Sequence, residues 1–158
     1  MSRFDSLSDF RTVAWHRLRD AKELVEMPSL GREENGADRR HLRGAMYLAG
    51  YTLECVLKAY LISLYPGANN LQDVDRILRS KYMGVPNLLG AQGHSISNIL
   101  RYTDLDAYLN DTQKKALGVV ASVWNSDMRY NPTIPLRVDA TTLVNHADEI
   151  YNWVNARL

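Results

Sequence analysis

GAMYLAGYTLECVLKAYLISLY, residues 44–65, is the stretch that decides the fold. Its apolar side chains go all the way round a helical wheel, which is typical of a helix buried on most faces. Only Glu54 and Lys58 carry charge within it. They are four residues apart with the glutamate first, so they lie one turn apart on one face and can pair. The stretch therefore predicts a central helix that needs neighbours on several sides and that holds an ion pair in its interior.

Length and composition narrow the class of protein before any motif is used. A chain of 158 residues fits a single domain, and 46% apolar with 23% charged residues is the balance of an ordinary globular protein. A net charge of +1 argues against a strongly polyanion-binding surface as a whole. Cys55 is the one cysteine, so no intramolecular disulfide can form, and a reducing, cytoplasmic setting is expected. We expect no secretory signal, and two charges inside the central helix make a membrane span unfavourable.

Apolar residues at helical spacing predict an all-α protein, an up-and-down bundle of four long helices with short helical insertions. The central helix is expected over about residues 39–65, and the others over about 5–27, 71–82, 95–102, 112–126 and 139–157. Pro28 ends the first helix and Pro66 the central one. Asn69 or Asn70 is expected to cap the helix that follows, and residues 83–93 are expected to form an irregular loop.

Polar and aromatic side chains form one stripe along the central helix. The stripe is built from Tyr47, Tyr51, Glu54, Lys58 and Tyr65. Removing both charges from water costs several kcal/mol per ion, so further donors should converge on the carboxylate. Arg129 is our candidate, because it follows a buried helix and its guanidinium fits a carboxylate with two hydrogen bonds.

Two interpretations of this polar cluster remain open. In the first, Glu54, Lys58 and Arg129 hold the helices in register and have no ligand. In the second, the stripe lines a cleft for an anionic ligand such as a nucleotide phosphate.

The segment AMYLAGYTLECVLKAYL, residues 45–61, resembles the signature helix of the HEPN domain family, helical bundles named for nucleotide binding in higher eukaryotes and prokaryotes. Gly93 and His94 resemble the family's GH segment, and the run from Trp124 to Tyr130 resembles its W-x-x-x-x-R-Y ending. The last helix is similar as far as Trp153, so the resemblance covers roughly residues 39–153.

The resemblance implies a helical bundle, often a homodimer, of the kind found in prokaryotic defence and toxin-antitoxin systems, often beside a nucleotidyltransferase. Together with the stripe and the predicted Arg129 partner, these motifs give one candidate cluster, ligand-binding or structural: Tyr51, Glu54, Lys58, His94, Arg129 and Tyr130. Many members of the family are ribonucleases with an Arg-x4-6-His motif. In this chain the spacing occurs once, at Arg11 and His16 in the first helix.

Arg11 and His16 are a weak candidate for a nuclease pair. Residues five apart on a helix point about 140° apart, so the two side chains are expected to diverge. Metal-independent cleavage needs an imidazole and a cation at one phosphate. We therefore expect no nuclease activity and name no other catalytic residue.

His94 and a basic run are further site candidates, each supported by a less specific sequence pattern. His94 is expected to cap backbone groups or to reach the Glu54 cluster. Residues 39–43 form the densest basic run, either a nucleic-acid or partner surface or a solvated helix start. It consists of Arg39, Arg40, His41 and Arg43. We expect no metal site and no cofactor, because metal-ligand spacings and phosphate-binding glycine loops are missing from the sequence.

These inferences combine into one expected function with two rivals. We expect a prokaryotic, cytoplasmic HEPN-like domain over residues 1–158 that binds nucleotide or RNA, or a nucleotidyltransferase partner, without a membrane. The rivals are a metal-independent ribonuclease toxin and a purely structural dimerisation protein.

Overall fold

The structure, a computed structural model, describes residues 5–28, 40–130 and 135–158, and for Arg40, Ser126 and Arg129 it describes the backbone alone. Within those ranges the chain forms six α-helices and no strand, which confirms the predicted all-α bundle. The helices are α1 (Leu7–Glu26), α2 (Arg40–Ser63), α3 (Leu71–Lys81), α4 (Ile96–Leu100), α5 (Asp111–Val123) and α6 (Arg137–Asn155). Three 3-10 helices join them: Ala91–His94, Leu105–Ala107 and Ser126–Tyr130.

Side chains at the helix starts explain where the helices begin. Ser6 caps α1 by accepting from the Asp9 N–H at 3.2 Å, while the Asp9 carboxylate accepts from the Ser6 N–H at 3.1 Å. The two bonds satisfy donors that the first helical turn leaves free. Asn70 caps α3, because its Oδ1 accepts from the Asp73 N–H at 2.9 Å, and this confirms one of the two predicted caps. Asn110 caps α5 through the same reciprocal arrangement.

The central position of α2 is confirmed. Every residue from Thr52 to Ile62 is buried, as expected for a helix with apolar side chains on all faces. Helix α1 packs along α2, with Leu24 close to Gly44 at one end and Phe10 close to Lys58 at the other, so the two helices run antiparallel. Helices α4 and α6 and the 3-10 helix Ser126–Tyr130 also pack on α2, and α5 packs on α6.

Trp124 ties the end of α5 to α2. Its indole Nε1 donates to the Tyr47 carbonyl oxygen at 3.0 Å. A Cβ atom placed on Gly50 would lie 1.9 Å from the Trp124 ring, so only a glycine leaves room for the indole on the α2 backbone.

The structure changes several of the predicted boundaries. Helix α5 ends at Val123, three residues before its predicted end, and α4 ends at Leu100, two residues before its own. The segment before His94 ends in the 3-10 helix Ala91–His94, where an irregular loop was predicted, and α6 starts two residues before the predicted Asp139. Two prolines in residues 131–136 predict an extended connection, and this segment lies mostly outside the described residues. No helix in the described ranges combines the length and the apolar content needed to cross a bilayer.

Candidate functional site

The predicted ion pair of α2 is present and buried. Lys58 Nζ lies 2.6 Å from Glu54 Oε1, and the two residues are 6% and 1% exposed. Lys58 Nζ also lies 5.7 Å from the centre of the Phe10 ring, which provides a cation–π contact from α1. Both charges are thus removed from water and depend on each other and on their neighbours.

His94 is a second polar partner of the same carboxylate. Its Nδ1 lies 3.0 Å from Glu54 Oε1, although 40 residues separate the two in sequence. An ionised carboxylate can only accept, so Nδ1 carries the hydrogen. The imidazole is 47% exposed, and Nε2 has no hydrogen-bond partner in the described part of the chain. The buried pair therefore holds the His94 ring through Nδ1 and leaves Nε2 available to a ligand.

The backbone before His94 is held by α3. A Cβ atom on Gly93 would lie 1.9 Å from the Leu88 carbonyl oxygen, so the chain at Gly93 packs directly on the chain at Leu88. The Leu88 N–H donates to Asp75 Oδ1 at 3.2 Å, and Asp75 Oδ2 accepts from Arg79 Nε at 2.7 Å. Asp75 was not among the predicted site residues, although the sequence carries a signal for it, an acid on the apolar side of α3 four residues before an arginine.

Glu54 keeps one acceptor without a donor. Its Oε2 is buried and has no hydrogen-bond partner among the described residues, an arrangement that costs free energy unless a donor meets it. The backbone of Ser126–Tyr130 packs against α2. The side chain of Arg129 lies outside the described part of the structure, so its pairing with Glu54 stays a prediction.

Aromatic rings continue the stripe beside this cluster. Tyr47 and Tyr51 are half-buried and stacked, with ring centres 6.2 Å apart, and Trp124 lies 6.3 Å from Tyr47. Burial, followed by the proximity of Cys55, raises the pKa of Tyr51 to about 12. Burial, followed by the Glu54 charge, raises the pKa of Cys55 to about 12. Both groups are therefore neutral near pH 7 and do not act as nucleophiles there.

The structure describes only some of the other predicted site residues. Tyr130 is 73% exposed. Arg39 and the Arg40 side chain fall outside the described residues. His41 is half-buried, with Nε2 at 3.5 Å from Arg137 Nη2, and Arg43 lines a cleft of about 420 Å³ between α2 and the end of α5.

Arg11 and His16 both line one open cleft, and the divergence of their side chains expected from the helical angle stays a prediction. They line a space of about 400 Å³ between α1 and α6 with Trp15, Tyr151 and Asn155. Arg11 Nε donates to Asn155 Oδ1 at 2.8 Å. Helix α6 forms the opposite wall of this cleft, which both side chains border from α1.

No group of three or more side chains able to hold a metal ion occurs in the described ranges.

No family model, curated protein or solved structure matches the chain.

Proposed function

We propose that this chain is a HEPN-like binding module of a prokaryotic defence or toxin-antitoxin system, and that it binds a nucleotide or RNA at the stripe of α2. The observation that carries the proposal is the exposed His94 imidazole, anchored on a buried Glu54–Lys58 pair. A nucleotidyltransferase is the protein partner that the family resemblance suggests. The resemblance in residues 45–61 supports the class of ligand.

Tyr47, Tyr51 and His94 offer complementary contacts to such a ligand. Half-exposed aromatic rings stack on nucleobases with little dependence on sequence. The His94 ring is held by its Nδ1, so Nε2 can contact a phosphate or a base without a loss of side-chain freedom on binding. The Arg129 guanidinium is our predicted donor to the free oxygen of Glu54.

The test compares thermal unfolding of the purified protein with and without millimolar nucleotide. A ligand that binds the native state raises the melting temperature by mass action. We expect a rise in the wild type and a much smaller rise in His94→Gln, while the control His146→Gln on α6 behaves as the wild type. Equal melting temperatures with and without nucleotide would overturn the proposal.

A metal-independent ribonuclease is the second candidate, and the cavity shared by Arg11 and His16 favours it. A guanidinium and an imidazole at one phosphate supply charge stabilisation and proton transfer. RNA cleavage in EDTA that disappears in His16→Ala and persists in His146→Ala would support this activity. An uncut RNA substrate would exclude it under those conditions.

A further inference from the structure

A second aromatic cleft lies at the far end of α2, where the ends of α2 and α3 meet the turn after α4. Its volume is about 420 Å³, within the range of small-molecule sites. Three tyrosines line it, Tyr65, Tyr82 and Tyr102, together with Arg101 and Asp104. Tyr82 is 56% exposed and the other two rings are half-buried. The three tyrosine side chains are therefore partly accessible from this cleft.

Hydrogen bonds hold one wall of the cleft in place. The Tyr60 hydroxyl, on the buried part of α2, donates to Asp104 Oδ1 at 2.8 Å. Thr103 Oγ1 donates to the Leu100 carbonyl oxygen at 2.8 Å and closes the same turn. A site built on such supported side chains loses little conformational freedom when a ligand binds.

Two cations and one carboxylate lie at the cleft. Arg101 is exposed, and its guanidinium makes no hydrogen bond or ion pair within the described ranges. Lys81 Nζ lies 5.7 Å from the Tyr65 ring centre, which adds a second cation at the edge. The Asp104 carboxylate, which accepts from the Tyr60 hydroxyl, lies on the same wall and opposes these cations. A free guanidinium fork binds phosphate or carboxylate with two parallel hydrogen bonds.

We propose that this cleft binds a planar aromatic ring that carries an anionic group, the chemistry of a mononucleotide or of the terminal nucleotide of an RNA strand. The ring stacks on Tyr82 or Tyr102, and Arg101 holds the phosphate. Asp104 lies where it can accept a hydrogen bond from a base amino group or a ribose hydroxyl. Tyr65 follows Glu54 by 11 residues, roughly 16 Å along the helix, so this cleft is distinct from the His94 site and goes beyond the proposed function.

Calorimetric titration of the full chain with adenosine monophosphate tests the cleft. The background is His94→Gln, so that binding at the stripe does not contribute. We expect Tyr82→Ala and Arg101→Gln each to weaken binding about tenfold or more. Both residues are exposed and these variants should fold. The controls are Tyr108→Ala and Arg76→Gln, which alter an exposed tyrosine and an exposed arginine outside the cleft.

Two further ligands separate the contribution of the phosphate from that of the base, and distinguish a free nucleotide from an RNA end as the ligand. Adenosine should bind more weakly than adenosine monophosphate and should be insensitive to Arg101→Gln, because it has no phosphate. A short oligoadenylate that binds more tightly than the mononucleotide identifies an RNA end as the ligand, and equal affinity identifies the free nucleotide.

Two results would overturn the proposal. In one, His94→Gln abolishes all binding of adenosine monophosphate, which would mean that the ligand binds at the stripe of α2 and not in this cleft. In the other, the affinity in the His94→Gln background is the same with and without the Tyr82 and Arg101 substitutions.

Discussion

Glu54 is the residue on which the polar interior of this bundle depends. Its Oε1 meets both the Lys58 ammonium and the His94 imidazole, at 2.6 and 3.0 Å, while its Oε2 has no donor among the described residues. The spacing of Glu54 and Lys58 predicted their pairing, because a helix brings i and i+4 together wherever it lies. The sequence left open whether His94 caps backbone groups or reaches this cluster, and the fold brings it to the same oxygen.

Glu54→Ala should lower the free energy of unfolding by about 3 to 5 kcal/mol, because the buried Lys58 ammonium would lose its counterion. Urea denaturation measures the loss. The control is Glu23→Ala, whose partner Arg19 is exposed with it on α1, and there we expect a loss below about 1 kcal/mol. A similarly small loss at Glu54 would show that the stripe is solvated.

Cys55 should be inert in the native protein, because burial raises the pKa of its thiol from 9.0 to about 12. We expect an aromatic disulfide reagent to label it in denaturant and not in the native state. The folded chain holds this proton more tightly than the unfolded chain. The resulting stability is therefore complete below pH 9 and is lost as the pH rises towards 12. Equal labelling rates in the two states would contradict the burial.

At the scale of elements, sequence spacing predicted most of the helices and left the contacts between them open. The six described helices lie close to their predicted ranges, and Asn70 caps α3 as expected. Helix ends follow from nearby prolines and capping side chains, which act within a few residues. The packing of Trp124 on Gly50 joins residues 74 positions apart, so no local sequence pattern predicted this contact.

Gly50→Ala and Gly118→Ala should have opposite effects on stability. A Cβ at Gly50 would lie 1.9 Å from the Trp124 ring, whereas a Cβ at Gly118 on α5 would meet nothing within 4 Å. We expect Gly50→Ala to destabilise by about 1 to 3 kcal/mol through overpacking. Gly118→Ala should stabilise by about 0.5 to 1 kcal/mol, since alanine loses less backbone entropy in a helix. Thermal unfolding gives both values, and losses of equal size would contradict the close approach at Gly50.

The whole molecule is organised by layers around α2. Helices α1, α4 and α6 and the 3-10 helix Ser126–Tyr130 all pack on it, and its segment from Thr52 to Ile62 is buried throughout. A segment covered on every side opens only when its neighbours leave, whereas a helix at the edge can open alone. Helix α3 exposes most of one face and shares fewer neighbours with the core.

Native-state hydrogen exchange should therefore be slowest at the backbone amides of Thr52–Ile62, with a protection free energy equal to that of global unfolding. The amides of α3 should exchange at a lower free energy and with a weaker dependence on denaturant. Equal protection of the two helices would mean that α3 and α2 open as one cooperative unit.

The sequence by itself determined the class of fold, the buried central helix and the Glu54–Lys58 pair, because helical periodicity, capping and i to i+4 contacts are local. Only the tertiary structure decided what meets that pair from outside. Four features join segments distant in the chain: the contact of His94 with Glu54, the hydrogen bond of Asp75 to the Leu88 N–H, the cleft lined by Arg11 and His16, and the tyrosine cleft around Arg101. Such contacts depend on how helices pack against one another, and spacing within a single helix carries no record of its neighbours.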